Sequence, residues 1–226
     1  MNYLLNIHTT TENAIVNICD GPKVLSSLVN SDSKQHAAFL HTAVHHILQV
    51  NDIRPKDLKA IGVTGGPGSY TGIRVGLASA KGFSFALNIP LIMINTLEVM
   101  AFTIINKISD ESALYCPMID ARRMEVFTAV YDNKLNEIIP PSAMIIAENS
   151  FREIMTKQNV YFSGSGSHKF KNIIPHLHDS QFIPDTIDSK SLGIFSWNKL
   201  QKKEFENVAH SKPYYIKDFY TIKKNK

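Results

Sequence analysis

Apolar and polar positions along this chain follow two alternating rhythms. Residues 3–8 (YLLNIH) and 13–19 (NAIVNIC) are short runs rich in apolar and β-branched residues, separated by polar TTTE. They predict a hairpin, with a third strand near 23–29 after Gly21-Pro22. Between Ala37 and Leu48 the spacing changes. Phe39, Leu40, Ala43, Val44, Ile47 and Leu48 fall on one helical face. A strand at 60–64, a glycine loop, a helix at 72–87, a strand at 91–94 and a helix from Thr96 to about Asn106 follow.

After polar NKISDES (106–112) the pattern restarts. LYCPMID (114–120) and MEVFTAVYD (124–132) predict a second hairpin. A helix at 149–156, the strand NVYFS (159–163), the turn GSGS and a helix at 167–174 come next. Ile7-His8-Thr9 ends the first strand of one half as Ile119-Asp120-Ala121 does in the other, and the strand–glycine loop–helix at 60–72 has its counterpart at 159–168. The expectation is a duplicated α/β fold, with halves at 1–106 and 107–226 and a cleft between them.

The chain has 226 residues, of which 44% are hydrophobic, enough for a sizeable core. Cys19 and Cys116 form neither a disulfide framework nor a ligand-type spacing, which suits a reducing cytosol. The start, MNYLLNIHTTTEN, lacks the features of a signal peptide. No apolar run reaches the roughly 18 residues of a spanning helix. A soluble, cytoplasmic protein is expected. The net charge is +4, and it is concentrated at one end. From residue 212 onward five lysines (Lys212, Lys217, Lys223, Lys224, Lys226) stand against Asp218, a surplus equal to that of the whole chain. A solvated terminus is the ordinary reading and a phosphate-tracking arm the alternative.

The glycine loop opens IGVTGGPGSYTGIRVGLASAKGF (61–83). It lacks the Gly-Lys-Ser/Thr of a Walker A loop, and Thr71 stands where a dinucleotide fingerprint needs its third glycine. Backbone N–H groups around Gly65, Gly66, Gly68 and Ser69 could cradle an anion beside the helix start. The same glycines could equally serve a tight turn and close packing. In the helix, Gly72, Gly76 and Ala80 form a stripe of small residues, with Val75, Ser79, Gly82 and Ala86 beside it. Arg74 and Lys81 mark a polar side that also carries Leu77, Ala78 and Phe85. A helix this apolar is expected to be packed on both faces. In FLHTAVHHIL, His41 and His45 have zinc-ligand spacing, but the glutamate of H-E-x-x-H is missing, and a polar or interfacial face is the better reading. Asp120, Arg122, Arg123 and Glu125 fit either a charged cleft or a structural ion-pair set.

Taken together, GGPGSYTGIRVGLASAKGFSFALNIPLIMINTLE (65–98), Ile119-Asp120-Ala121-Arg122-Arg123 with Glu125-Val126-Phe127, and Lys212-Pro213-Tyr214-Tyr215 resemble the TsaB (YeaZ) family. The resemblance implies an actin-like (ASKHA) pair of RNase H-like halves. It also implies a role as non-catalytic activator of the paralogue TsaD, with the ATPase TsaE, in making threonylcarbamoyladenosine in tRNA. The tRNA would be contacted through the complex, and a homodimer is a further implied assembly. The implied partner surface lies on helices 36–50 and 72–87, through Ala38, His41, His45, Arg74, Leu77, Ala78, Lys81 and Phe85. The catalytic paralogue has His-x-x-x-His where this chain has Thr96 and Met100, neither a usual ligand for such metals. Active members usually carry an aspartate at the first hairpin turn, where this chain has His8. No catalytic residue, metal or cofactor is expected of the isolated chain, with ATP and Mg²⁺ reserved for the complex. The rival reading is an autonomous enzyme of the same fold, a metallopeptidase or an ATP-dependent phosphotransferase.

Overall fold

The computed structural model describes residues 1–174, 181–184 and 187–217. The first half contains β1 (Tyr3–His8), β2 (Ala14–Asp20), β3 (Lys23–Asn30), α1 (His36–Val50), β4 (Leu58–Gly66), α2 (Tyr70–Leu87), β5 (Leu91–Asn95) and α3 (Thr96–Ile108). The second contains β6 (Leu114–Asp120), β7 (Glu125–Tyr131), β8 (Glu137–Ile145), α4 (Arg152–Met155), β9 (Val160–Ser163), α5 (Ser167–Ile173), β10 (Phe182–Ile183) and α6 (Ser189–Gln201). The sheets run β3-β2-β1-β4-β5 and β10-β9-β6-β7-β8. In each, two hairpins make an antiparallel meander, and two further strands add parallel to its first strand. The fold is the expected duplicated α/β, actin-like arrangement, with the ends of β1 and β6 in equivalent places.

Side-chain alternation along the strands creates three cores. Leu5, Ile7, Val16 and Ile18 face α1 and α2, burying Leu40, Val44, Ile47 and Leu77. Cys116, Met118, Val126 and Phe162 face the opposite outer layer, where Phe170 of α5 is buried. Between the sheets lies the third core, from Ile92 and Ile94 of β5, Leu97, Met100 and Ile104 of α3, Tyr115 and Tyr131 of the second sheet, and Leu192 and Phe195 of α6. Packing crosses the expected boundary at 106/107: α3 lies on β6 and β7, and α6 returns to β1, β2 and β3.

Helix starts are locally encoded. Ser69 Oγ accepts from Gly72 N at α2, Asn95 Oδ1 from Leu97 N at α3, and Asp188 Oδ1 from Ser191 N at α6. Several sequence expectations need correcting. β4 runs on through Gly65 and Gly66, because Gly66 still pairs with Asn95 of β5 past a register shift at Gly65. The helix expected at 149–156 is only the four residues of α4. β8 and α6 were not anticipated. Pro140 and Pro141 argue against a strand, yet β8 is the sheet's edge, where missing donors are tolerated. α6 lies between layers and buries Ser191, Gly193 and Ser196 as well as Leu192 and Phe195, so it has no clean apolar stripe.

Candidate functional site

β1 ends at the first hairpin turn on a buried residue, His8. His8 is 1% exposed. Its Nδ1 lies 3.0 Å from Thr64 Oγ1, and its Nε2 lies 2.7 Å from Thr11 Oγ1. A neutral imidazole donates through one nitrogen and accepts through the other, so both hydroxyls are served. Burial, followed by the neighbouring His36, lowers the His8 pKa from 6.5 to about 3. Thr10 Oγ1 extends the network to Thr96 Oγ1 at 3.0 Å. Thr96 and Met100 are both fully buried, and Met100 belongs to the core between the sheets. Hydroxyls and an uncharged imidazole thus fill this corner. They do not fit a divalent cation with its phosphate, which calls for anionic oxygens. Among the described residues, no group of three or more His, Cys, Asp or Glu is arranged to hold a metal ion.

The glycine loop is closed over by the chain itself. Ser69 N donates to Thr10 O at 2.8 Å, and Tyr214 N donates to Gly65 O at 2.8 Å. A Cβ at Gly68 would meet the carbonyl of Thr10, and one at Gly66 the carbonyl of Tyr214. Gly66 and Gly68 have φ of 117° and 150°, which side-chain-bearing residues rarely adopt. The packing role of these glycines is therefore visible directly, and the Ser69 N–H is spent within the protein.

The charged residues of the second hairpin are drawn together with lysines from other elements. Asp120 Oδ1 pairs with Lys169 of α5 at 2.6 Å and accepts from Arg122 N at the same distance. Glu125 pairs with Lys217 at 2.8 Å. Arg122 and Arg123 form the tip of the turn. A polar cleft of about 230 Å³ runs from Thr11, Glu12 and Asn13 across to Asp120, Ser165 and His168.

The surface of α1 and α2 divides the expected partner residues into three sets. Ala38, His41, His45, Ala78 and Phe85 are exposed, Phe85 to 82%. Leu77 is 3% exposed and belongs to the first core, so its expected place on the outer side is wrong. It lies one turn from Ile73 and faces the sheet with it. Arg74 and Lys81 flank the exposed strip and are held by the C-terminal segment. Arg74 Nε donates to Tyr215 OH at 2.9 Å, and Lys81 Nζ to Ser211 O at 3.0 Å. The expectation that α2 is packed on both faces fails within this chain: the small stripe Gly72, Gly76, Ala80 is buried, whereas Ala78, Gly82 and Ala86 are open. His41 Nε2 lies 3.2 Å from Ser79 Oγ, which ties α1 to α2.

Tyr70 and Tyr215, which sit in two separate segments of the family resemblance, stack with ring centroids 5.2 Å apart, a pairing that the sequence does not show. Lys223, Lys224 and Lys226 lie outside the described residues.

A sequence profile described as TsaD, tRNA N6-adenosine threonylcarbamoyltransferase, matches residues 23–223. The tRNA threonylcarbamoyladenosine biosynthesis protein TsaB of Bacillus subtilis (strain 168) is 32% identical over 150 residues, covering 65% of this chain and 60% of that protein. The protein of the same name from Buchnera aphidicola subsp. Baizongia pistaciae (strain Bp) is 30% identical over 184 residues, covering 75% and 78%. The match thus spans about three fifths of the first relative's length and more of the second. A crystal structure described as an uncharacterized protein with similarity to peptidase YeaZ, from Pseudomonas aeruginosa, superposes with a TM-score of 0.80. It is 19% identical and covers 96% of this chain and 100% of that one.

Proposed function

This chain belongs to the TsaB (YeaZ) family, and on that premise we propose that it is a non-catalytic subunit of the machinery that makes threonylcarbamoyladenosine in tRNA. Its task is to bind and stimulate the catalytic paralogue TsaD, working with TsaE in the cytoplasm, with tRNA held by the complex. The observation that carries this reading is the outward strip of α1 and α2. Phe85 is 82% exposed beside Ala78, and a Cβ at Gly82 would meet nothing within 4 Å. An exposed phenylalanine among residues without bulk favours close approach of another helix pair. The neutral His8–threonine network supports the absence of catalysis by this chain alone. No helix among the described residues is long and apolar enough to cross a membrane, which is compatible with a cytoplasmic role.

Two measurements test the reading together. Depleting the chain from cells is expected to remove threonylcarbamoyladenosine from tRNA, and a tagged chain is expected to co-purify TsaD. Modification that persists without the chain, or metal-dependent peptidase or ATPase turnover by the purified chain that is abolished by changing Thr96 or Glu98, would sink it.

A further inference from the structure

A cavity of about 300 Å³ opens between the start of α2, the β6–β7 turn and the C-terminal segment. This is at the lower end of the range for small-ligand pockets. Its apolar walls are largely aromatic: Tyr70 from α2, Phe127 from β7, and Tyr214 and Tyr215 from the C-terminal segment. The Tyr70 and Tyr215 rings stack at 28° to each other. The Arg74 guanidinium lies 3.9 Å from the centroid of the Tyr70 ring, and its Nε bond to Tyr215 OH fixes the second ring as well. Two rings and a guanidinium are therefore laminated into one wall. Tyr214 and Tyr215 are nevertheless 41% and 38% exposed.

The cavity's rim is cationic. Arg122 lines it, as do Lys217 and Glu125, whose charges cancel in their ion pair. Arg122 and Arg123 have φ of 70° and 48°. Two successive positive φ values are the habit of turns built on Asn-Gly, and residues with long side chains adopt them seldom. Arginines in such a turn place a guanidinium at the rim despite the backbone preference.

From this geometry we infer that the cavity takes one unpaired nucleotide, with its base against the Tyr70–Tyr215 wall and its phosphate toward Arg122. Every base offers a π-face to an aromatic wall, and guanidinium groups serve both stacking and phosphate recognition. The cavity is too small for a folded partner or a long peptide. A free nucleotide and a nucleotide within single-stranded RNA share this chemistry. The inference stands on the cavity alone, so it can fail while the family role holds, and the reverse.

The probe is 2-aminopurine riboside 5′-monophosphate, whose fluorescence is quenched by stacking. A second probe is a short single-stranded oligoribonucleotide carrying one 2-aminopurine. Saturable quenching by the full chain is expected with at least one of them, and the tighter arm identifies the source. Tyr215→Ala is expected to weaken binding by about tenfold or more, the usual effect of losing a stacking ring. Tyr215→Phe, which keeps the ring but loses its hydroxyl bond to Arg74, should weaken binding less than Tyr215→Ala does. Arg122→Gln, at an exposed turn, should weaken binding and flatten its salt dependence, and it decides the matter if Tyr215→Ala fails to fold. Absence of saturable quenching in both arms overturns the inference. So does unchanged affinity in a folded Tyr215→Ala or in Arg122→Gln, or displacement by ribose 5-phosphate as effective as that by adenosine 5′-monophosphate.

Discussion

His8 shows how one residue can set the chemistry of a corner. An aspartate there would bring an anionic oxygen, whereas the imidazole is buried, neutral and held by threonine hydroxyls. Because its pKa falls to about 3 in the folded chain, the unfolded chain binds the proton first, near 6.5. The stabilising contribution is therefore full above pH 6.5 and is lost progressively as pH falls toward 3. Between pH 7 and pH 5 the stability to urea is expected to drop by about 2 kcal/mol from this residue. In His8→Asn that part of the slope should vanish. Denaturation curves at the two pH values check it, and an equally steep loss in the variant would assign the effect elsewhere. The thiols behave in the opposite direction. Burial raises Cys19 and Cys116 to about 12, so both remain inert core groups.

At the scale of one element, α2 has two faces with different demands. A Cβ at Gly72 would meet the backbone carbonyl of Thr9, whereas one at Gly82 would meet open space. Gly72→Ala is therefore expected to destabilise by about 1–3 kcal/mol through overpacking. Gly82→Ala should stabilise the isolated chain by up to about 1 kcal/mol, since alanine favours a helix. Similar effects from both, in thermal or urea unfolding, would contradict the assigned packing. Ala78 lies on the open face with Phe85. Ala78→Glu should leave the melting temperature of the isolated chain almost unchanged, as exposed substitutions usually do. It should lower association with TsaD by orders of magnitude, because a buried, unpaired carboxylate costs several kcal/mol. Normal binding of this variant in a pull-down or by calorimetry would put the partner surface elsewhere.

For the whole molecule, the central fact is that the halves share a core. α3 packs on β4 and β5 of the first sheet and on β6 and β7 of the second, and α6 comes back from the second half to the first. The C-terminal segment adds a tie, from Gly65 through Tyr214 N on one side to Glu125 through Lys217 on the other. Neither half keeps its apolar surface covered without the other's helix. A single cooperative unfolding transition is expected, with coincident fluorescence and circular dichroism curves. Two resolved transitions would show that the shared core does not couple the halves.

Much of this was legible in the chain. Period-2 and helical spacings are local properties, so β1 to β5, α1 to α3 and the repeat of the hairpins could be read directly. The glycine loop's failure to match nucleotide motifs was equally plain, as were His8, Thr96 and Met100 at positions where the family resemblance implies other residues in active members. The missed features depend on neighbours far away in sequence. β8 carries two prolines and is a strand because it is an edge, while α6 buries serines and a glycine because a sheet approaches it closely. Leu77 looked like a member of the outer side of α2, and only the sheet beneath it decided otherwise. Arg74 and Lys81 mark a polar side of α2 in the sequence, and residues more than a hundred positions later fold over them. Local sequence determined the elements and their order. Tertiary packing decided which faces stayed open, because exposure depends on what a distant segment covers.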